Sequence, residues 1–412
     1  MIYIIGAGIS GLTTADNLKR EFLVFEKGES PGGLSTQYKS GKYFFDFSGH
    51  YFHFAGKDEI RRYVEQFSRF HRYQRDSRIR MFGKLIPFPV QYHLSYFPGN
   101  TGVRILNEMK RRSADGHRNM RESLTGTFGE TLYKLFFEPF LTKYYRRDLS
   151  KIVPETDKGS IPVPDLISVE EGLGGRNFSD TGYNPVFYYP HEGLKSFIKS
   201  MEKGISEKIR YNEAVIGINL TERILVTEKG EYPFSGIVNT MPLRELAGIL
   251  TPRPPWAPKP GEFESVSTLV VNMVLREQRE KFHWVYLPEG ESPFYRAGYY
   301  PGHPETACYA ERTLVDGEEF DRDDTAREVT CVLRDLNMIR DSDDILHMDM
   351  KVIPGSYIIF TPGWRAVVPG FLKKLRETGI YSVGRYGSWN YSSMSDDIKS
   401  GKCTAELLNG ER

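Results

Sequence analysis

IYIIGAGISGLTTADNLKREFLVFE, residues 2 to 26, joins a β-branched run to three glycines, an amphipathic stretch and a second apolar run that ends in an acid. That order predicts strand, turn, helix, strand. Gly6 permits the tight turn, Gly8 lets the backbone approach a pyrophosphate at the helix N-terminus, and Gly11 lets the helix pack closely on the strand. Glu26 follows Gly6 by about 20 residues at the end of the second strand, where a carboxylate accepts hydrogen bonds from ribose hydroxyls. GxGxxG alone is weak. Here the flanking strands, the helix and the terminal acid agree on a dinucleotide site, against the plain alternative of a glycine-rich turn with no ligand.

After Glu26 comes KGESPGGLSTQY, in which Gly32 and Gly33 follow Pro31. This extends the resemblance to the FAD-binding fold of the glutathione reductase type, where a glycine pair follows the ribose acid and its backbone approaches the cofactor. An NAD domain has no need of the pair, so FAD is preferred as the resident cofactor.

The 412 residues suggest two or three domains, at a prior of roughly 150 residues each. Lys plus Arg total 55 against Asp plus Glu at 54, so no overall field holds nucleic acid or an anionic membrane, and any anion site is local. Cys308, Cys331 and Cys403 lie far apart with no paired metal spacing, as in a reduced, cytosolic protein. Met1 to Ile5 is too short for a signal peptide, and no apolar stretch approaches the roughly 18 residues of a membrane span. The expectation is a cytoplasmic protein with a small-molecule substrate.

Asp58 to Phe67 has helical periodicity, and RIRMFGKLIPFPV reads as two short strands joined at Gly83. The chain turns helical from about Thr101 to Lys151. The composition of SVEEGLGGRNFSDTG, residues 168 to 182, predicts a mobile loop suited to a lid. Short strands follow over 209 to 239, and TPRPPWAPKPGE, Thr251 to Glu262, reads as a crossing between domains. Beyond it come strands of an antiparallel sheet, a helix over Thr325 to Leu336, a strand-like segment over Lys351 to Phe360, and a final helix from about Ser395.

With FAD expected, GKLIPFPVQ (83–91), GYNPVFYYP (182–190), PFYRAGYY (293–300) and SVGRYGSWNYSSM (382–394) together resemble the UDP-galactopyranose mutases, within the amine oxidase and protoporphyrinogen oxidase superfamily. The resemblance runs in order along nearly the whole chain. It implies an α/β fold with a discontinuous glutathione-reductase-type Rossmann FAD domain (1–57, 191–250 and 378–412), a helical substrate domain (58–77 and 100–181) and an antiparallel-sheet domain (78–99, 182–190 and 251–377). The cofactor contacts it implies are Gly6, Gly8, Gly11, Glu26, Gly33, Val215, Thr240, Gly384 and Met394.

SGHYFHF, Ser48 to Phe54, matches the family's loop against the flavin ring, with His50 at the cofactor and His53 read as packing. The two histidines have no HExxH or CxxC support for a metal. The implied chemistry uses reduced flavin as a nucleophile toward an anomeric carbon, with UDP as leaving group and reclosure to a five-membered ring. A diphosphate leaving group calls for positive donors. Arg296 matches the family's diphosphate arginine, and Arg385 lies where the last strand reaches flavin and substrate. Phe136, Phe140 and Tyr145 fall where the family stacks its uracil or closes its cleft, and plain core packing competes for both phenylalanines. Asn184 keeps its match. Ser160 stands where a second diphosphate arginine is common, Arg176 is a candidate replacement, Asn390 replaces a basic residue and Ser393 an acid. Three readings stay open: a nucleotide-sugar mutase in surface-glycan synthesis, an FAD-dependent oxidase, dehydrogenase or desaturase, and a flavoprotein scaffold. NAD(P)H is a candidate transient reductant.

Overall fold

The computed structural model describes residues 1–112, 116–154, 161–178, 180–182 and 184–410. Its contacts divide the chain into two units, Met1–Arg72 with Tyr188–Glu264 and Gly363 onward, and Tyr73–Phe187 with Ser265–Pro362.

In the first unit five parallel strands lie in the order Ile380–Ser382, Gly236–Asn239, Ile2–Ile5, Phe22–Phe25, Ile209–Arg210. Ile2 is in register with Gly236 on one side and Phe22 on the other. The unbroken apolar runs of the central strands Ile2–Ile5 and Phe22–Phe25 follow from cover on both faces. The helix Ile9–Asn17 meets the last helix, Met394–Gly410, so closely that a Cβ on Gly401 would stand 2.7 Å from the Ser10 carbonyl oxygen. A four-stranded sheet (Glu231–Pro233, Ile224–Thr227, Val215–Asn219, Leu250–Thr251) and the hairpin Gln37–Ser40/Tyr43–Asp46 complete the unit.

The helix Asp58–Val64, expected with the helical segments of 100–181, lies in this first unit. Tyr63 donates its hydroxyl to Asp16 Oδ2 at 2.7 Å, and Lys57 pairs with Asp396 at 2.6 Å. The helix Pro362–Glu377 also belongs here, with Trp364 Nε1 donating to the Trp389 carbonyl at 2.8 Å.

The second unit holds the helical and sheet textures together. Its sheet runs Ile345–Ile358, Ser265–Leu275, Ala307–Leu314, Phe294–Tyr299, Trp284–Tyr286, Ser77–Met81, Lys84–Pro87. All neighbours are antiparallel except Trp284–Tyr286 against Ser77–Met81, which is parallel. Ser265–Leu275 is buried throughout. Leu269, Val271, Met273 and Leu275 join one core with Val329 and Leu333 of the helix Arg322–Asp335, and Val266 joins a second core with the helices Thr101–Met109 and Met120–Phe128. Each fully buried leucine, valine or methionine contributes about 1.5–3 kcal/mol.

The stretch read as a loop over 168–182 begins inside a helix, Leu166–Leu173, which Asp165 caps by accepting the Ser168 N–H at 2.8 Å. Gly172 lets that helix approach the turn at Tyr92, since a Cβ there would stand 1.9 Å from the Tyr92 carbonyl oxygen. Beyond the helix, buried His93 accepts the Phe178 N–H at 3.1 Å, and Arg75 donates to the Thr181 carbonyl at 2.7 Å. Caps and glycine contacts, invisible in composition, account for the difference.

Candidate functional site

Gly6 takes a φ of 95°, turning the first strand into the helix Ile9–Asn17. A Cβ on Gly11 would lie 2.0 Å from the Gly6 carbonyl oxygen, so the helix packs as tightly as the motif requires. Gly8 differs, because a Cβ there meets nothing within 4 Å. Its space is open for a ligand approaching the helix N-terminus. Glu26 accepts the Ala7 N–H at 2.8 Å and the Gly28 N–H at 2.7 Å, which fixes the carboxylate beside the turn while its remaining lone pairs stay available.

The second glycine pair lies against the first turn. Gly32 donates its N–H to the Ala7 carbonyl at 2.8 Å and bridges Gly8, and a Cβ on Gly33, at φ 57°, would stand 3.7 Å from the Gly8 Cα. Thr240 donates its hydroxyl to the Ile5 carbonyl at 2.7 Å, and a Cβ on Gly384 would meet Ser10 Oγ at 2.4 Å. Gly6, Gly8, Gly11, Glu26, Gly33, Thr240 and Gly384 therefore gather at the carboxyl ends of the parallel strands, where such sheets bind ligands. Met394 is buried at the start of the last helix. Val215 is buried on the four-stranded sheet, two residues beyond Glu213, whose N–H binds the Glu26 carbonyl at 3.0 Å. A cradle with open space at Gly8 and a carboxylate anchored at the end of the second strand fits a dinucleotide such as FAD.

His50 is half-buried, with Nδ1 3.2 Å from the Ser48 carbonyl oxygen. Its segment is tied down at Phe52, which exchanges two backbone hydrogen bonds of 2.9 Å with Tyr188 and packs without exposed surface against Phe54, Phe70 and Phe197. The aromatics of SGHYFHF thus build core, and His50 and His53 are both half-buried. Among the described residues no three His, Cys, Asp or Glu side chains gather as metal ligands.

Arg385 stands in the turn Gly384–Gly387, donates to the Ser392 carbonyl at 3.0 Å and lies over the Tyr391 ring at 4.3 Å. Asn390 Oδ1 accepts the Tyr391 N–H at 2.9 Å. Ser393 hydrogen-bonds Asp396 at 2.6 Å, and Ser392 donates to Asp397 at 2.7 Å. Acids are therefore present one turn beyond the position where the resemblance misses one. Burial pushes the Asp397 carboxyl up to about 6, against the opposing pull of Ser392 and Arg385.

In the second unit Arg296 makes a bidentate pair with Glu311, Nε at 2.6 Å and Nη2 at 2.8 Å, and Glu311 has no exposed surface. Burial opposes the guanidinium charge, and Glu311 outweighs it, leaving the Arg296 pKa raised. The Arg296 guanidinium lies 5.6 Å from the Tyr309 ring centre. Tyr309 Oη is buried and makes no hydrogen bond among the described residues, an orphaned donor of the kind that a ligand oxygen satisfies.

A π-helical turn, Tyr133–Phe137, runs into the helix Glu138–Tyr145 and presents Phe136, Phe140 and Tyr144 as a ladder, with ring centres 5.6 and 6.1 Å apart. Tyr144 touches Tyr357 at 4.4 Å and Tyr295 at 5.1 Å, and Phe140 meets Tyr286 at 5.2 Å. Phe136 and Tyr145 belong to the core, while Phe140 and Tyr144 are partly buried at its edge. Arg176 is not drawn in: it is exposed and pairs with Glu171 at 2.5 Å. Asn184 is half-buried at a left-handed φ of 52°. Ser160 lies outside the described residues.

Sequence reading missed Glu311, the tyrosines 144, 286, 295, 309 and 357, and Asp46. Asp46 is fully buried and accepts the Tyr189 hydroxyl at 2.9 and 3.0 Å. FDF directly before SGHYFHF was its one available signal: an acid between aromatics on a strand.

The glycine turn, its acid and the second glycine pair define a dinucleotide-binding Rossmann fold, and the NAD(P)-binding Rossmann-like domain family matches residues 4–67. Over its whole length the chain has the fold of UDP-galactopyranose mutase. A crystal structure of the reduced mutase aligns with a TM-score of 0.91 at 21% identity, covering 99% of this chain and 93% of that one. A protein from Exiguobacterium sp. 255-15 assigned as a protoporphyrinogen oxidase aligns at 0.76 with 16% identity, covering 100% and 99%. A putrescine oxidase redesigned in cofactor binding aligns at 0.67 with 11% identity, covering 100% and 99%.

Proposed function

We propose that the protein is a flavin-dependent nucleotide-sugar mutase, with FAD held by the first unit and the nucleotide-sugar diphosphate recognised by the Arg296 cluster of the second. The orphaned hydroxyl of Tyr309 beside Arg296 carries this reading. A diphosphate carries several anionic oxygens on tetrahedral phosphorus that accept hydrogen bonds from fixed donors, and Glu311 fixes the guanidinium through Nε and Nη2 while leaving Nη1 for a ligand. Phe140 and Tyr144 supply flat apolar walls for a base. Reduced flavin supplies the nucleophile in such chemistry, and NAD(P)H serves as its transient reductant. His50 and Arg385 are proposed at the flavin, with Asn184 and Asn390 toward the substrate. The setting proposed is surface-glycan synthesis in the cytoplasm.

A second reading, an FAD-dependent oxidase, dehydrogenase or desaturase, draws on the neutralisation of Arg296 by Glu311 and of Arg176 by Glu171, which leaves less free positive charge for a diphosphate. Calorimetric titration with UDP and UDP-sugars separates the two. Binding that Arg296→Met weakens by at least about tenfold, the worth of one charge-assisted hydrogen bond, supports the mutase. Absence of nucleotide binding, with substrate-driven flavin reduction, supports the oxidoreductase.

A further inference from the structure

A cavity of about 320 Å³ opens at the amino-terminal edge of the parallel sheet, lined by Ile2, Gly236 and Tyr381 from three of its strands. The glycine turn lies at the opposite ends of those strands. Four residues at about 3.3 Å each separate the two by roughly 13 Å. Three guanidinium groups, Arg20, Arg223 and Arg376, line the cavity. The one carboxylate among its described lining residues, Glu377, pairs with Lys374 at 2.8 Å. The local balance is therefore strongly positive in a chain whose total charge is +1.

Arg223 is built in rather than loose. It donates to the carbonyls of Ser235 at 2.7 Å, Thr378 at 3.2 Å and Phe234 at 3.4 Å. These bonds hold the guanidinium and occupy carbonyls that otherwise repel an anion, and a guanidinium has five N–H donors, so two remain. Gly379, at φ 84°, allows the crossing, since a Cβ there would stand 3.2 Å from Arg223 Nη2. Arg376 extends from the helix Pro362–Glu377, with Cζ 5.9 Å from the Tyr381 ring centre. One held guanidinium with two more lining the same polar hollow matches an oxyanion, and the volume falls in the range of small-ligand sites.

We propose that this cavity binds a phosphate-class anion, free or as a phosphomonoester, at a site separate from the cofactor cradle. Isothermal titration of the full-length, flavin-loaded protein at low ionic strength with inorganic phosphate and with glucose 1-phosphate tests it. One saturable site is expected, weakened about tenfold by Arg376→Gln with flavin content unchanged. Tighter binding of the ester identifies a phosphorylated metabolite as the natural ligand, and equal or exclusive binding of phosphate identifies the free anion. Non-saturable binding of both probes, or binding that Arg376→Gln leaves unaltered, overturns the proposal. Because Arg376 is exposed, its substitution does not put folding at risk.

Discussion

Asp46 shows how one residue sets a pH response. Burial pushes its carboxyl up to about 7, against the opposing bonds from Tyr189 and Gln37. Between about pH 4 and pH 7 the folded state keeps the proton that the unfolded chain releases. Rising pH therefore removes stability through that window, up to about 4 kcal/mol at 1.36 kcal/mol per unit. Asp397, pushed up to about 6, acts in the same direction over a narrower window. Asp46→Asn keeps an acceptor for Tyr189 without a charge, so its melting temperature should fall less between pH 5 and 8 than that of the wild type. Parallel profiles would sink the assignment. The glycines give an equally local contrast. Gly8→Ala should melt like the wild type, because its Cβ has open space, and yet lose flavin on purification; Gly11→Ala should lose stability, because its Cβ meets the Gly6 carbonyl oxygen at 2.0 Å. Thermal melts with flavin absorbance separate them. Removing Arg296 alone strands Glu311 in the interior, at a cost of about 3–5 kcal/mol. Arg296→Met with Glu311→Leu should recover most of that stability and none of the nucleotide affinity. Recovery of affinity would remove Arg296 from the site.

Elements carry the parts that local chemistry does not. The π-helical turn Tyr133–Phe137 shifts the helix that follows it, and such turns recur at functional sites. Here it aligns Phe136, Phe140 and Tyr144 at i, i+4 spacing, so Phe140→Ala should weaken nucleotide binding with little effect on the melt, whereas Phe136→Ala should cost about 3–5 kcal/mol of core stability. A loss of nucleotide affinity from Phe136→Ala matching that from Phe140→Ala would contradict the ladder's division of labour. The strand, turn, helix and second strand at the N-terminus were legible because every signal lies within 25 consecutive residues. The helix Pro362–Glu377 was not, because Gly363, Pro369 and Gly370 read as breakers while packing of Phe371 on Phe263 and the Trp364 bond hold it. The first part of 168–182 misled for the opposite reason: its glycines suggest a loop, and one of them, Gly172, is where the helix Leu166–Leu173 seats.

The whole molecule explains which features the sequence concealed. Tyr144, Tyr286, Tyr295, Tyr309 and Tyr357 come from widely separated stretches and meet only through the helix Glu138–Tyr145 and the seven-stranded sheet. No window of sequence contains them together. The motif that singles out Arg296 for the proposed site says nothing of its partner Glu311, since their pairing is a register property of adjacent strands. The same holds for domain limits. Asp58–Val64 and Pro362–Glu377 pack with the parallel sheet through Asp16, Asp396 and Trp389, contacts that periodicity does not encode. The fold is common to mutases and oxidases, so chemistry must be decided at the site. The most direct measurement is anaerobic incubation of the flavin-loaded protein with UDP-sugars, oxidised and then reduced with dithionite, following the flavin spectrum and sugar ring form together. Interconversion of ring forms in the reduced state alone is the predicted result. Absence of nucleotide binding in both redox states would contradict the mutase account and leave the likeness as one of fold.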